Sequence, residues 1–295
     1  MKVILTGANG QLGREISRHK PKGLNLIAIS RKDLDMNSYK DCCNLIDKER
    51  PDWVINTAAY TDVDNAEVEE TKAFNVNALA PKAFSEKLLL NGGKLLQIST
   101  DYVFNGKQNY PYKTYQDTCP INTYGKSKEM AEKYIQDIFS NSHSSVILRT
   151  SWIIGKSGKN FANTIINLIN KRDEINVIED QVGCMTSTLS LAKVCWDILK
   201  KDMLRHKKGT TIFHWTEGGK ASWYDIATTI NNLSFQIGLT NKKAIINPIS
   251  TSEFKTLAKR PSYSVLDCET TQNLLGYKPL HWSKSLEKIL KDKDP

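Results

Sequence analysis

Tyr124 and Lys128 stand four residues apart in the run Tyr124-Gly125-Lys126-Ser127-Lys128, and Thr100 closes an apolar run upstream of them. Residues at that spacing share one face of a helix, so a phenol is set beside an ammonium. The positive charge favours the phenolate, and the sequence predicts a tyrosine pKa drawn down toward neutrality, where it can trade protons. A hydroxyl at Thr100 could hold a carbonyl oxygen and the tyrosine together. In a lysine-rich chain any single Tyr-x-x-x-Lys is as readily a solvated surface pair. This one gains weight from a glycine-rich turn before it, Gly7-Ala8-Asn9-Gly10-Gln11-Leu12-Gly13. Together they describe proton transfer coupled to hydride transfer.

Gly7, Gly10 and Gly13 fall between the strand-like Val3-Ile4-Leu5 and a helical stretch beginning near Gln11. Glycines in that context let a pyrophosphate approach the backbone at a helix N-terminus. The spacing is Gly-x-x-Gly-x-x-Gly, and a tight turn with no ligand uses the same residues. The next apolar run ends at Ile29 and is followed by Ser30-Arg31-Lys32. A carboxylate there ordinarily takes the adenosine ribose 2′-hydroxyl, whereas a guanidinium suits a 2′-phosphate. The expectation is NADPH, with NADH admissible; exposed loop charge at Arg31 and Lys32 is the competing reading.

These residues need a scaffold, and the chain's rhythm supplies one. Val3-Ile4-Leu5, Leu26 to Ile29, Trp53-Val54-Ile55, Leu95 to Ile98 and Val146-Ile147-Leu148 each fit a short buried strand. Amphipathic stretches such as Tyr39 to Glu49 and Thr71 to Leu90 lie between them. Alternation of this kind predicts an α/β fold, a doubly wound parallel sheet of the Rossmann type, with ligands beyond the carboxyl ends of the strands. Residues 1–150 are expected to form the dinucleotide-binding domain. Residues 151–295 are expected to be mainly a smaller substrate-binding lobe that can return to the sheet. Helical patterns there run over Asn160 to Asn170, Leu189 to Lys200 and Trp223 to Leu233, with strand candidates at Thr211 to His214 and Ala244 to Ile246. Lys291 to Pro295 look frayed, and Asn105 to Thr118 reads as a lid or a plain surface loop.

A chain of 295 residues can bury a large core. No apolar run approaches the roughly 18 residues that a membrane span needs, and no secretory signal is visible at the start. The six cysteines lack metal-ligand spacing and are expected as free thiols, and no metal site is expected. A cytoplasmic protein follows from these readings. The net charge of +9 is spread along the chain without a dense basic run among aromatics. That favours a nucleotide-linked substrate over a nucleic-acid groove.

The constellation resembles the extended short-chain dehydrogenase/reductase superfamily, and within it the dTDP-4-dehydrorhamnose reductase family. The likeness runs through Gly10-Gln11-Leu12-Gly13, Asn56 to Asp64, Ser99 to Phe104 and Tyr124 to Lys128. It continues in Arg149-Thr150-Ser151-Trp152, Asn160-Phe161, Asp180-Gln181-Val182-Gly183, Ser222-Trp223-Tyr224, Arg260-Pro261 and Ser264-Val265-Leu266-Asp267. The resemblance implies that Gly10, Gln11 and Leu12 face the pyrophosphate and that Asp35 and Met36 sit by the adenine. It also implies that Ala58, Ala59, Tyr60 and Thr61 line the cofactor. Tyr124 and Lys128 would serve cofactor and chemistry, while Thr100, Asp101, Trp152 and Asn160 would contact a dTDP-linked 4-keto-6-deoxy sugar. The implied reaction reduces the C4 ketone of dTDP-6-deoxy-L-lyxo-4-hexulose to dTDP-L-rhamnose, for surface polysaccharide synthesis.

Two departures stand out. Cys184-Met185-Thr186 replaces a Pro-Thr ending after Gln181, and Leu189 stands where relatives that share a magnesium between subunits would carry an acid beside Glu15. A metal bridge is therefore not expected, although helix packing would still allow a homodimer. A dehydratase would place a glutamate after Asp101, and Tyr102 is there instead. The remaining rivals are a reductase of another nucleotide-linked 4-keto sugar and a non-catalytic dinucleotide-binding regulatory subunit on the same fold.

Overall fold

The computed structural model describes residues 1–200 and 208–292. The fraying expected near the C-terminus concerns, from residue 293 onward, residues outside that range. Six parallel strands form the main sheet, in the spatial order Thr211–His214, Ser145–Thr150, Lys94–Thr100, Trp53–Asn56, Lys2–Thr6, Asn25–Ile29. The first strand in the chain thus lies between the second and the third. Crossovers run in opposite directions from it, which opens a crevice at its carboxyl end.

The strands are apolar on both faces because helices cover both. Val3, Leu5, Ile55, Leu96 and Leu148 face one layer, packed with Leu12 and Ile16 of the Gln11–Arg18 helix and with Leu191, Cys195 and Ile198 of the Thr188–Lys200 helix. Ile4, Val54, Leu95 and Ile147 face the other, against Cys42 and Ile46 of Tyr39–Glu49, Phe84 and Leu88 of Ala80–Asn91, and Ile135 of Thr123–Ile138. Alternate residues of each strand therefore serve opposite cores, as a period of two requires. Elements from beyond residue 150 belong to this body, among them the Thr188–Lys200 helix, the Thr211–His214 edge strand and the Glu269–Leu275 helix, whose Leu275 enters the same core. The Trp196 indole N–H bonds the Ile16 carbonyl at 3.1 Å and ties that helix down.

The second lobe gathers the helices Phe161–Lys171, Trp223–Gln236 and Trp282–Lys291 around a parallel pair, Glu174–Ile178 with Ile245–Ile249. Its core holds Ile165, Ile169, Ile175, Val177, Ile226, Ile230 and Leu286. The Glu174–Ile178 strand went unread in the sequence, although its five residues alternate exposed and buried. The stretch from Thr71 to Leu90, read as one helix, contains a π-helical segment at Asn75–Leu79. Such bulges commonly mark functional sites.

One buried ion pair fastens the Thr123–Ile138 helix to the sheet. Arg149 reaches Glu132 through Nη2 at 2.6 Å and through Nε at 3.0 Å, and both residues are nearly solvent-free. The Ser99 hydroxyl adds a bond to Glu132 at 2.5 Å, and Arg149 lies 5.1 Å over the Phe104 ring. Removing one partner of such a pair strands a buried charge, which costs about 3–5 kcal/mol. Urea unfolding of Glu132→Gln should show a loss of that order. A Glu132→Leu/Arg149→Met double variant should recover a large part of it.

Candidate active site

Tyr124 and Lys128 lie in the first turns of the Thr123–Ile138 helix, which Asn122 caps by accepting from the Gly125 N–H at 2.7 Å. Gly125 is there because the helix presses on the preceding loop: a Cβ at that position would stand 2.3 Å from the Tyr102 carbonyl oxygen. The close approach brings the Tyr124 ring edge-on to Tyr102, with centroids 5.8 Å apart. Thr100 ends the Lys94–Thr100 strand, and its hydroxyl is near enough to the Tyr124 phenol to lower that group's pKa. Its Oγ1 also lies 3.0 Å from Asp101 Oδ1 and accepts from the Tyr102 N–H at 3.1 Å.

The charge logic read from the sequence is corrected here. Lys128 does not pull the Tyr124 phenol toward neutrality. Burial pushes it up to about 12, opposed by the Thr100 hydrogen bond and aided by the charge of Asp101. Lys128 instead donates to the Ile98 carbonyl at 2.7 Å. Burial lowers the ammonium to about 8, with Glu132 one turn further along opposing the shift. Desolvation outweighs the spacing argument because both groups leave water together.

Asp101 is buried behind Thr100. Burial raises its carboxyl to about 7, while the nearby Ser264 and Thr100 hydroxyls pull the other way. Trp152 belongs to the same surface. A Cβ at Gly183 would stand 2.7 Å from the Trp152 ring and 3.0 Å from Ser264 Oγ, so indole and hydroxyl flank one glycine. Trp152 holds a left-handed φ of 43° and stacks on Trp223 at 3.8 Å. The structure thus joins Thr100, Asp101, Tyr102, Tyr124, Ser264 and Trp152 into one contiguous wall.

A second group forms around the glycine turn. Gly7 adopts φ 69°, and Gly10 precedes the Gln11–Arg18 helix without a side-chain cap, so the first amides of Gln11, Leu12 and Gly13 are left to an incoming acceptor. The Ala8 N–H bonds the Ile29 carbonyl at 3.1 Å, and Thr57 Oγ1 bonds the Thr6 carbonyl at 2.6 Å, which draws three strand ends together. Asn160 joins this group and not the Tyr124 wall. Its amide donates to Gln11 Oε1 at 2.9 Å and to the Gly155 carbonyl at 2.8 Å, while its oxygen caps the Phe161–Lys171 helix through the Asn163 N–H. Gln11 in turn accepts from the Gly155 N–H and donates to the Lys159 carbonyl.

At the second strand's end Arg31 is exposed, and the Ser30 hydroxyl is held by Asp33 at 2.6 Å. Asp35 is exposed and accepts from Asn37, whereas Met36 is buried in the hydrophobic layer under the sheet, so its side chain is core. Ala58 and Ala59 are small and half-buried; Thr61 is exposed. The Tyr60 backbone is gripped on both sides by the Asn77 amide, which also donates to Ser127 Oγ at 2.9 Å. Asn77 escaped the sequence reading. The only signal was a buried asparagine in an otherwise helical run, and its meaning depends on the π-helical segment that aims it.

Comparison with known proteins gives the same assignment along the whole chain. The model of the RmlD substrate binding domain family matches residues 1–294. The chain belongs to that family. A dTDP-4-dehydrorhamnose reductase of Aggregatibacter actinomycetemcomitans is 34% identical over 290 residues, covering 98% of each chain. The crystal structure of a dTDP-4-dehydrorhamnose reductase from Clostridium acetobutylicum superposes with a TM-score of 0.89 at 36% identity, covering 98% of both chains. One from Bacillus anthracis, in complex with NADP, gives 0.87 at 33%, again over 98% of both.

The residues present in this family member fit a dinucleotide. The uncapped helix amides suit a pyrophosphate, and the exposed Arg31 guanidinium suits a further phosphate. Among the described residues no cluster of three or more His, Cys, Asp or Glu could hold a metal, and Glu15 is engaged by His19 at 2.8 Å. No described helix is long and apolar enough to cross a membrane. Because Asn160 serves both a helix cap and Gln11, two substitutions test its roles. Asn160→Ala should lose about 1 kcal/mol of stability and weaken dinucleotide binding several-fold. Asn160→Asp should keep the cap but set a carboxylate against the Gly155 carbonyl and Gln11 Oε1. It should therefore lose both stability and binding, as read by thermal melts and NADP⁺ titration.

Proposed function

We propose that this chain is an NADPH-dependent reductase that converts dTDP-6-deoxy-L-lyxo-4-hexulose to dTDP-L-rhamnose at the C4 ketone. The observation that carries the reading is the Tyr124 phenol, set beside Thr100 at a strand's carboxyl end with Lys128 one helical turn on. It stands in a chain whose full-length relatives bear that reductase name.

The cofactor, when bound at the glycine turn, supplies hydride. The protein's part is to hold the ketone and deliver a proton. A phenol raised to about 12 is protonated at neutral pH and cannot act as a standing base, so Tyr124 is set as an acid. Carbonyl reduction runs in the direction that needs one. As negative charge grows on the carbonyl oxygen, the Thr100 hydroxyl and the Tyr124 proton stabilise it where water is excluded. Asp101 and Trp152 form the sugar side of the wall, and Lys128, pinned to Ile98, backs the tyrosine and can meet a ribose hydroxyl.

Purified protein mixed with the keto sugar should oxidise NADPH and yield dTDP-L-rhamnose. Tyr124→Phe should lower kcat by roughly 10²–10⁴ with NADPH affinity nearly unchanged; normal turnover in that variant would remove the mechanism. Arg31→Ala should weaken NADPH on the order of tenfold, about the strength of one charge-assisted contact, and spare NADH. An equal loss for both cofactors would mean that Arg31 does not read the 2′-phosphate.

A further inference from the structure

Trp152 stands two residues past Thr150, the strand-end residue that pairs in register with Thr100. Its φ of 43° is left-handed, a conformation that a bulky L residue holds only where its surroundings compel it. Among the described residues only Arg50 shares that conformation outside glycine, and Arg50 ends a helix, where it is ordinary. Trp152 ends no helix. Strain of this kind concentrates at functional sites.

What compels it lies in the second lobe. The Trp152 ring stacks on Trp223 with centroids 3.8 Å apart and planes 15° from parallel, and Phe161 packs on Trp223 at 4.5 Å. Trp223 and Phe161 are each the first residue of a capped helix. The Ser222 N–H bonds Asp225 at 2.8 Å and the Asp225 N–H bonds Ser222 Oγ at 3.0 Å, which fixes Trp223 between them. Asn160 caps the helix of Phe161 through the Asn163 N–H at 2.9 Å. Gly183 pairs with Ala221 beside the first of these caps and leaves room for the indole, since a Cβ there would stand 2.7 Å from the Trp152 ring. The Trp152 carbonyl is held by the Thr186 N–H at 3.1 Å. All three rings are half-buried, so the stack is not sealed in the core.

We propose, resting on the reductase reading, that Trp223 is a positioning residue for the sugar nucleotide: it holds the strained Trp152 indole ready beside Thr100. A 6-deoxy sugar carries a methyl group where other hexoses carry a hydroxymethyl, and an indole favours burial of that group. Trp223 acts through Trp152 and takes no part in hydride or proton transfer. Without the stack, Trp152 relaxes, and the incoming sugar has to order it again on binding. That loss falls on KM and leaves the chemical step intact.

Two variants disturb the stack from different places. Trp223→Leu removes the planar partner but keeps an apolar side chain there, and Gly183→Ala crowds the indole without altering Trp223. Each should raise KM for the keto sugar about three- to tenfold, the strength of one aromatic pair, with kcat and NADP⁺ affinity nearly unchanged. Trp223→Phe keeps a ring that can stack and should restore KM. The wild-type protein should also show the circular-dichroism exciton couplet of two stacked indoles, absent from Trp223→Phe and altered when dTDP-L-rhamnose binds. If Trp223→Leu does not fold, Gly183→Ala decides alone. An unchanged KM, or losses of kcat and NADP⁺ affinity that track a lowered Tm, would overturn the role and leave the stack as cement between the lobes. Wild-type protein that shows the couplet yet neither binds dTDP-L-rhamnose nor turns over the keto sugar would instead overturn the reductase reading.

Discussion

The Glu132 carboxylate is where the helix that carries Tyr124 and Lys128 is locked to the sheet. It receives Arg149 from the strand beside Thr100 and the Ser99 hydroxyl from Thr100's own strand. Buried this deeply, the pair sets position more than it adds net stability, because desolvation offsets a large part of its attraction. His214 lies beside Arg149 and, through burial first and that charge second, is kept neutral down to about 3. The arrangement fixes helix against strand, and so fixes Tyr124 against Thr100. It also leaves Lys128 next to Glu132, and burial lowers the lysine more than that carboxylate raises it.

Two clasps hold the second lobe to that body. On one side Gln11 and Asn160 bind loop 155–160 to the glycine turn. On the other, Asp64 accepts from Arg260 and the Ala258 N–H, and the Asn122 amide donates to the Lys259 carbonyl. Each clasp uses a residue next to the site: Gln11 opens the helix at the glycine turn, and Asn122 caps the helix of Tyr124. The attachment of the lobe and the order in the site are therefore linked by the same side chains.

Much of the architecture was legible in the chain because fully buried parallel strands read as unbroken apolar runs. Val3 to Leu5, Trp53 to Ile55 and Val146 to Leu148 needed no partner to be recognised. Glu174–Ile178 was hidden because a short, half-exposed strand carries only a weak alternation, and its pairing with Ile245–Ile249 spans a long loop of chain. The π-helical segment at Asn75–Leu79 was hidden for a different reason: nothing in a helical pattern announces one extra residue in a turn.

The sequence by itself determined the residue types at the strand ends, the glycines that permit close backbone approach and the four-residue step from Tyr124 to Lys128. Those are local properties, set by covalent geometry and period. Only the tertiary structure decided what those residues are chemically. Spacing alone predicts a phenol eased toward ionisation, but the packing of Tyr102, Asp101 and the C-terminal segment around it removes water and keeps it protonated. It also makes Asn160 the partner of Gln11, and through burial raises the Asp101 carboxyl to about 7. Desolvation depends on everything that surrounds a group, and no stretch of neighbouring residues encodes it.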